Sequence, residues 1–320
     1  MPSGKERSGL EPGLYLVPTP LGNLGDLSPR VDSVLRASDL IAAEDTRRSL
    51  RLLSHLGISA PMLSYREDNH LRAWPRIRDS LSKGKVVSLL TDAGAPLVSD
   101  PGSLLVGEAA ALGYRVFPIP GPSAVTTALM ASGFRAGSFT FAGFPPAKPG
   151  KRRAYLESLA ALPHPLVFFE APHRLGESLA SMLEAFGDRR ALLAREMTKI
   201  HEEYLRDSLA SILESVTVNP RKGESTIVVE GLKPKGGAAA SDGNWGDGMG
   251  DPEEDGLASQ GAAQGAAQGD PDPLGALRAA KDEILADPRP AAQLAKDWAA
   301  RLGIPRKLAY SVIAGLRDGG

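Results

Sequence analysis

Residues 86–102 constrain this chain more than any other stretch. The strand-like run Val86–Leu90 enters a loop that carries two carboxylates, Asp92 and Asp100, among the turn residues Gly94, Pro96, Pro101 and Gly102, and a helical pattern follows. The arrangement then recurs: strand signals at Arg115–Ile119 lead into Pro120-Gly121-Pro122-Ser123-Ala124 and another helix. Strand, glycine- and proline-rich loop, then helix, twice in succession, predicts an open α/β sheet. Its strand ends let backbone approach a ligand closely. The chain reads as an enzyme.

Strand and helix signals alternate over residues 13–134, with Leu14–Val17, Leu40–Ala43, Met62–Tyr65, Val86–Leu90 and Arg115–Ile119 as five strands of a mostly parallel sheet. Ser28-Pro29 has the form of a helix N-cap followed by proline at the first helical position. A second α/β unit, 138–232, starts with the alternating run Phe139–Phe144. Helices at Lys151–Leu162 and Arg174–Phe186 and strands at Leu166–Glu170, Ala191–Arg195, Glu203–Leu205 and Ser225–Glu230 follow, several of them suited to antiparallel pairing.

Residues 236–272 carry eight acids and no base, with a Gly-Ala-Ala-Gln repeat, and are expected to form a flexible linker. Residues 273–320 turn helical again: Leu294 and Trp298 lie one turn apart, Gly303 ends a helix, Pro305 opens another, and Leu308, Val312 and Leu316 continue it. Helix, short turn and helix resemble a helix-turn-helix module, and a plain packing appendage explains the pattern equally well.

Composition narrows the classes. The formal net charge is −1, but residues 1–235 hold 29 bases against 25 acids and residues 273–320 eight against five, so both regions outside the linker are mildly basic. That balance permits a polyanionic partner such as RNA. There is no cysteine, which removes disulfides and thiolate metal sites and suits a reducing cytoplasm. No apolar run approaches the roughly 18 residues of a membrane helix, and the polar start has no signal-peptide core. A cytoplasmic location is the expectation.

Several chemistries fail on spacing. The loop after the first strand, Pro18–Gly25, lacks the dinucleotide fingerprint, and no phosphate-binding Gly-x-x-x-x-Gly-Lys-Ser/Thr occurs. The five histidines have no metal-ligand spacing, so no metal is expected. Charged clusters instead follow strands: Glu44-Asp45-Thr46-Arg47, Glu170 with His173-Arg174, and Arg195-Glu196-Met197-Thr198-Lys199. Each alone could be a helix cap or a structural ion pair. Three of them at strand ends point to a shared cleft.

The run Leu14–Arg30 (LYLVPTPLGNLGDLSPR) resembles the opening of the tetrapyrrole methylase superfamily. With Glu44–Arg47, Asp92–Pro96, Ser99–Gly102, Pro120–Ala124, Phe168–Glu170 and Pro172–Arg174, the chain is similar over roughly residues 13–231 to the branch of that superfamily that methylates small-subunit ribosomal RNA. The terminal helices also fit that branch. Ala95 departs from its usual threonine and Pro18 from its common alanine, and the 236–272 insertion is long.

The resemblance implies a two-domain tetrapyrrole methylase-like α/β fold, with a parallel-sheet first domain, a mixed-sheet second and a small helical C-terminal module. It implies S-adenosylmethionine as cofactor and transfer of its methyl group to the ribose 2′-hydroxyl of a cytidine in 16S rRNA of the 30S subunit, cytidine 1402 in the usual numbering. A homodimer is implied as well. Pro20, Leu21, Gly22, Asn23, Asp92, Ala93, Gly94, Ser99, Asp100, Pro120, Gly121, Ser123 and Ala124 would then hold the cofactor. Glu44, Asp45, Glu170 and Lys199 are the candidates for catalysis, and Arg47, Arg174 and Lys199 for RNA contact. A corrin carbon methyltransferase and a non-catalytic RNA-binding assembly factor are the alternatives.

Overall fold

The computed structural model describes residues 9–233, 280–302 and 306–318. Its first sheet comprises β1 (Gly13–Val17), β2 (Leu40–Ala43), β3 (Met62–Ser64), β4 (Val86–Leu90) and β5 (Val116–Pro118), all parallel, in the order β3-β2-β4-β1-β5. Burial on both faces explains the continuous apolar runs of β2 and β4, every residue of which is buried. Crossover helices α1 (Pro29–Ala37), α2 (Thr46–His55), α3 (His70–Ser82) and α4 (Ser103–Ala111) cover the sheet. Ser28 caps α1 as expected, its Oγ accepting from the Val31 N–H at 3.2 Å.

Strand order decides where a crevice opens. The chain leaves β1 toward β2 on one side and leaves β4 toward β5 on the other, although β1 and β4 are neighbours. Their following loops diverge from that point, which is where open α/β sheets accept ligands. The two loops are pinned together by Thr19 and Gly94, whose backbone groups exchange two 2.9 Å hydrogen bonds.

After α5 (Ala124–Ser132), a second sheet contains β6 (Thr140–Gly143), β7 (Leu166–Glu170), β8 (Arg190–Arg195), β9 (Glu203–Ser208) and β10 (Ser225–Val229) in the order β6-β7-β10-β8-β9. Only β6 and β7 pair in parallel, so the sheet is mixed. Helices α6 (Pro149–Leu159), α7 (Leu175–Phe186) and α8 (Leu209–Val218) pack on one face around Phe168, Leu179, Met182, Leu193 and Ile212. The other face meets α5 through Val125, Ala128, Leu129 and Val228. The antiparallel pairing brings the ends of β7 and β8 beside the start of β10, with Ser225 opposite both Glu170 and Arg195.

Among the described residues, the terminal helices α9 (Lys281–Ala286), α10 (Ala291–Leu302) and α11 (Arg306–Asp318) pack together through Ile284, Leu294, Trp298, Val312 and Ile313, and Ala111 of α4 joins that cluster. Helices α10 and α11 lie where the apolar spacing put them, and α11 packs against α4 of the first sheet's helical layer. Gly303, Pro305 and the 236–272 segment lie outside the described residues. Among the described residues no helix is long and apolar enough to cross a membrane.

Candidate active site

The two sheets present their loops to a common cleft of 390 Å³. The first unit contributes Leu21, Glu44, Asp92, Ala93, Gly94, Ser99, Asp100, Ser123 and Ala124. The second contributes Phe144, Phe169, Glu170, Met197, Lys199, Glu224 and Thr226. A smaller cavity of 240 Å³ adjoins it and shares Arg48 and Asp92 with it.

Parallel pairing of β2 and β4 sets their carboxylates side by side. The Glu44 Oε2 accepts from the Asp92 N–H and the Asp92 Oδ1 accepts from the Asp45 N–H, both at 3.2 Å, a reciprocal clamp across two strand ends. The Asp92 Oδ2 also faces Arg48 at 3.3 Å. On the far wall the Lys199 ammonium lies 2.9 Å from Glu196 and 2.8 Å from Glu224. Both cleft cations are therefore already paired, whereas Glu44 and Asp100 have no ion-pair partner among the described residues. The cleft carries an excess of negative charge.

That excess shows in the ionisation of its groups. Burial, then the charges of Glu44 and Asp92, push the Asp100 carboxyl up to about 7. Glu44 is also raised, by burial and by Asp92, against the hydrogen bond from the Asp92 backbone. Lys199 moves the other way from a buried lysine: burial disfavours its charge, but hydrogen bonds to Glu224 and Glu196 outweigh that and hold it protonated.

Loop conformation around the cleft is strained. Among the described residues the non-glycine positions with positive φ are Leu97, Ser99, Glu196 and Thr198, at 71°, 64°, 48° and 65°. All four belong to the loops after β4 and β8. Side chains avoid that region unless the surroundings over-determine it, and such positions cluster at ligand sites. At Thr198 the surroundings do so: the Glu202 carboxylate accepts from the Thr198 N–H at 2.7 Å, and the Thr198 Oγ1 accepts from the Asn23 N–H at 3.2 Å. The latter bond joins the two units. Next to it the Lys199 stem crosses so close to Gly22 that a Cβ there would overlap it.

The expected cofactor residues fall into three groups. Leu21, Asp92, Ala93, Gly94, Ser99, Asp100, Ser123 and Ala124 line the cleft. Pro20 and Gly22 line the smaller cavity. Asn23, Pro120 and Gly121 line neither. Asn23 instead caps a short turn, its Oδ1 accepting from the Gly25 N–H at 2.9 Å. Gly121 sits against Pro18, whose ring a Cβ would strike, so it sets where Ser123 and Ala124 stand. Gly121→Ala should displace that loop at about 1–2 kcal/mol, weakening S-adenosylmethionine binding roughly tenfold in calorimetry. Unchanged affinity would remove the loop from the cofactor site.

The catalytic and RNA candidates also separate. Asp45 caps α2, its carboxylate accepting from the Arg47 N–H at 2.8 Å, which lowers its pKa and employs it structurally. Glu170 is 1% exposed and committed to Ser178, to the Ala171 N–H at 2.8 Å and to Arg174 at 3.4 Å. Arg174 also donates to the Pro145 carbonyl and does not line the cleft. Arg47 is exposed outside both cavities. Glu44, by contrast, is a cleft carboxylate with a raised pKa and no ion-pair partner among the described residues.

Sequence reasoning missed Arg48, Val98, Phe144, Met197 and Glu224. Arg48 adjoins the Glu44–Arg47 motif, and Met197 falls inside the quoted Arg195–Lys199 cluster, so spacing along a helix or strand end was the available signal. Phe144 and Glu224 carried none. Among the histidines, His70 is a core residue, its Nδ1 2.9 Å from the Tyr65 hydroxyl.

Comparison with known proteins shows the family of this chain. The family model for Tetrapyrrole (Corrin/Porphyrin) Methylases matches residues 13–213. The chain belongs to the tetrapyrrole methylase family. It is 47% identical over 233 residues to the ribosomal RNA small subunit methyltransferase I of Xylella fastidiosa (strain Temecula1), covering 72% of this chain and 85% of that one. It is 48% identical over 222 residues to the protein of the same name from Mesorhizobium japonicum, covering 69% and 76%. Among solved structures, cobalt precorrin-4 methyltransferase (TM-score 0.53, 15% identity, covering 68% of this chain and 94% of that one) and diphthine synthase (0.51, 18%, covering 68% and 89%) share the fold.

S-adenosylmethionine is the cofactor of this methylase family, and the cleft residues fit it. The acid excess of Glu44 and Asp100 suits a donor bearing sulfonium and ammonium charges. Phe144, 52% exposed and 5.6 Å from the Phe169 ring, would offer an aromatic face to a bound adenine. The N-terminus of α5, whose cap residue Ser123 makes no side-chain cap bond, would suit a ligand carboxylate.

Proposed function

We propose that this chain methylates the ribose 2′-hydroxyl of a cytidine in 16S rRNA, at position 1402 of the usual numbering, using S-adenosylmethionine, and that it works as a homodimer on the 30S subunit. The observation that carries the reading is the acid-rich cleft between the two sheets, in a chain nearly half identical to proteins named for small-subunit rRNA methylation.

The cofactor, when bound, supplies a methyl group already activated on a sulfonium. The chain's own task is alignment, exclusion of water and a path for one proton. The loop after β4, tied at Gly94 to Thr19 and at Gly102 to Glu67, and the loop after β8, tied at Thr198 to Asn23 and Glu202, both hold strained residues and so present Ser99, Asp100 and Met197 with little reorganisation. In this reading Glu44, a cleft carboxylate without an ion-pair partner among the described residues, takes the hydroxyl proton. Its raised pKa makes it a stronger base than an ordinary glutamate, but a ribose hydroxyl is far less acidic still. Positioning therefore carries more of the acceleration than proton abstraction. Lys199, held protonated, serves as a fixed charge.

The test is methyl transfer from labelled S-adenosylmethionine to 30S subunits lacking the modification, followed by mapping of the nucleotide. Label on a cytidine 2′-oxygen of 16S rRNA is the expected result. Label on a base, or none despite cofactor binding, would overturn the reading.

A further inference from the structure

The cleft that suits the cofactor is poorly suited to RNA, because an acidic wall repels a phosphodiester. The smaller cavity next to it has the opposite character. One side is basic: Arg48, Arg51 and His55 lie at i, i+3 and i+7 on a single face of α2 and all reach it. Arg51 is exposed and has no ion-pair partner among the described residues. Apolar lining comes from Leu52 of the same helix and from Pro20 and the 45%-exposed Leu24 of the loop after β1. Arg48 and Asp92, facing each other at 3.3 Å, stand on the wall that the two cavities share.

We infer that the smaller cavity seats the acceptor nucleotide, with Arg48, Arg51 and His55 gripping its flanking phosphodiesters and Leu24 and Leu52 meeting the base. The inference rests on the proposed RNA 2′-O-methylation and assigns that reaction its acceptor site. At 240 Å³ the cavity admits one nucleotide taken out of its stack and excludes a paired helix. Ribose chemistry fits the shared wall: the 2′-oxygen is on the carbon next to the one bearing the 3′-phosphodiester. A phosphate held by Arg48 thus leaves the hydroxyl at the boundary with the cofactor cleft, near Glu44. Phosphate contacts of this kind set register and carry no sequence information, so base choice falls to the apolar lining and to contacts elsewhere along the RNA.

The test uses the full chain on unmodified 30S subunits, with Arg51→Glu, Arg51→Lys and His55→Ala as exposed substitutions that spare the core. Arg51→Glu should raise KM for the subunit at least tenfold, with a smaller loss in kcat, and flatten the salt dependence of KM by about one contact. Arg51→Lys should restore most of the loss, and S-adenosylmethionine affinity should stay unchanged in all three. Wild-type KM and salt slope in Arg51→Glu and His55→Ala, with methyl transfer intact, would overturn this site and leave the proposed reaction standing. Failure of the unmutated chain to methylate any RNA while binding S-adenosylmethionine would overturn the reaction, and the acceptor site with it.

Discussion

Asp100→Asn is expected to make the protein more stable at pH 8 and a poorer binder of S-adenosylmethionine. The carboxyl titrates at about 7 in the folded chain against 3.8 when unperturbed, because burial and the nearby Glu44 and Asp92 disfavour its charge. Between those two values the folded state holds a proton that the unfolded state releases. Stability therefore falls as pH rises through that window, and the full penalty is present above pH 7. After allowing for solvent screening, the penalty is about 2 kcal/mol, or roughly 4–8 °C in Tm for a chain of this size. Asparagine removes it, so the gain in Tm should be largest above pH 7 and vanish near pH 4.

Cofactor binding should respond in the opposite sense. Loss of a charge-assisted hydrogen bond to a cationic donor weakens affinity about tenfold to hundredfold. Wild-type affinity should rise from pH 6 to pH 8 as Asp100 ionises, and the variant should show no such rise. S-adenosylhomocysteine, with one positive charge fewer, should lose less than the methyl donor does. Calorimetry across pH with both ligands checks all three points. A variant that binds normally and melts no higher would show that Asp100 is neither strained nor engaged.

Glu170→Ala is expected to lower stability by about 3 kcal/mol, since removing one partner of a buried ion pair strands the other and its hydrogen-bond donors. Its carboxylate receives Ser178, the Ala171 N–H and Arg174, and is 1% exposed. These contacts tie the end of β7 to the first turns that follow it, so the variant's Tm should drop roughly 6–12 °C. S-adenosylmethionine affinity, measured well below the melting range, should change little. A large fall in kcat with Tm unaltered would return Glu170 to the catalytic machinery.

The two carboxylates show why the site was only partly legible beforehand. Asp100 and Glu170 both follow strands and both belong to recognisable motifs, and nothing in their spacing separates them. Both line the cleft, and what separates them is their partners: Asp100 has no ion-pair partner among the described residues, while the chain beyond β7 brings Ser178, the Ala171 N–H and Arg174 to Glu170. Asp45 and Glu44 are consecutive, yet one caps a helix and the other faces the cleft, because alternate residues leaving a strand point opposite ways. Arg48 was passed over for Arg47 for the same reason, since a single step along α2 rotates a side chain by about 100°.

Local pattern alone determined the five strands of the first sheet, the cap at Ser28, the second α/β unit and the Gly/Pro loops where a ligand would bind. Apolar periodicity and turn chemistry are short-range and write themselves directly into residue order. Tertiary structure decided the rest. The β3-β2-β4-β1-β5 order put the loops after β1 and β4 at one crevice. Antiparallel pairing carried Glu224 and Thr226 to the opposite wall. Packing on α4 settled the place of the terminal helices. These outcomes depend on contacts between residues far apart in the chain, and the sign of the charge in each cavity is a sum over such contacts, so no local stretch encodes it.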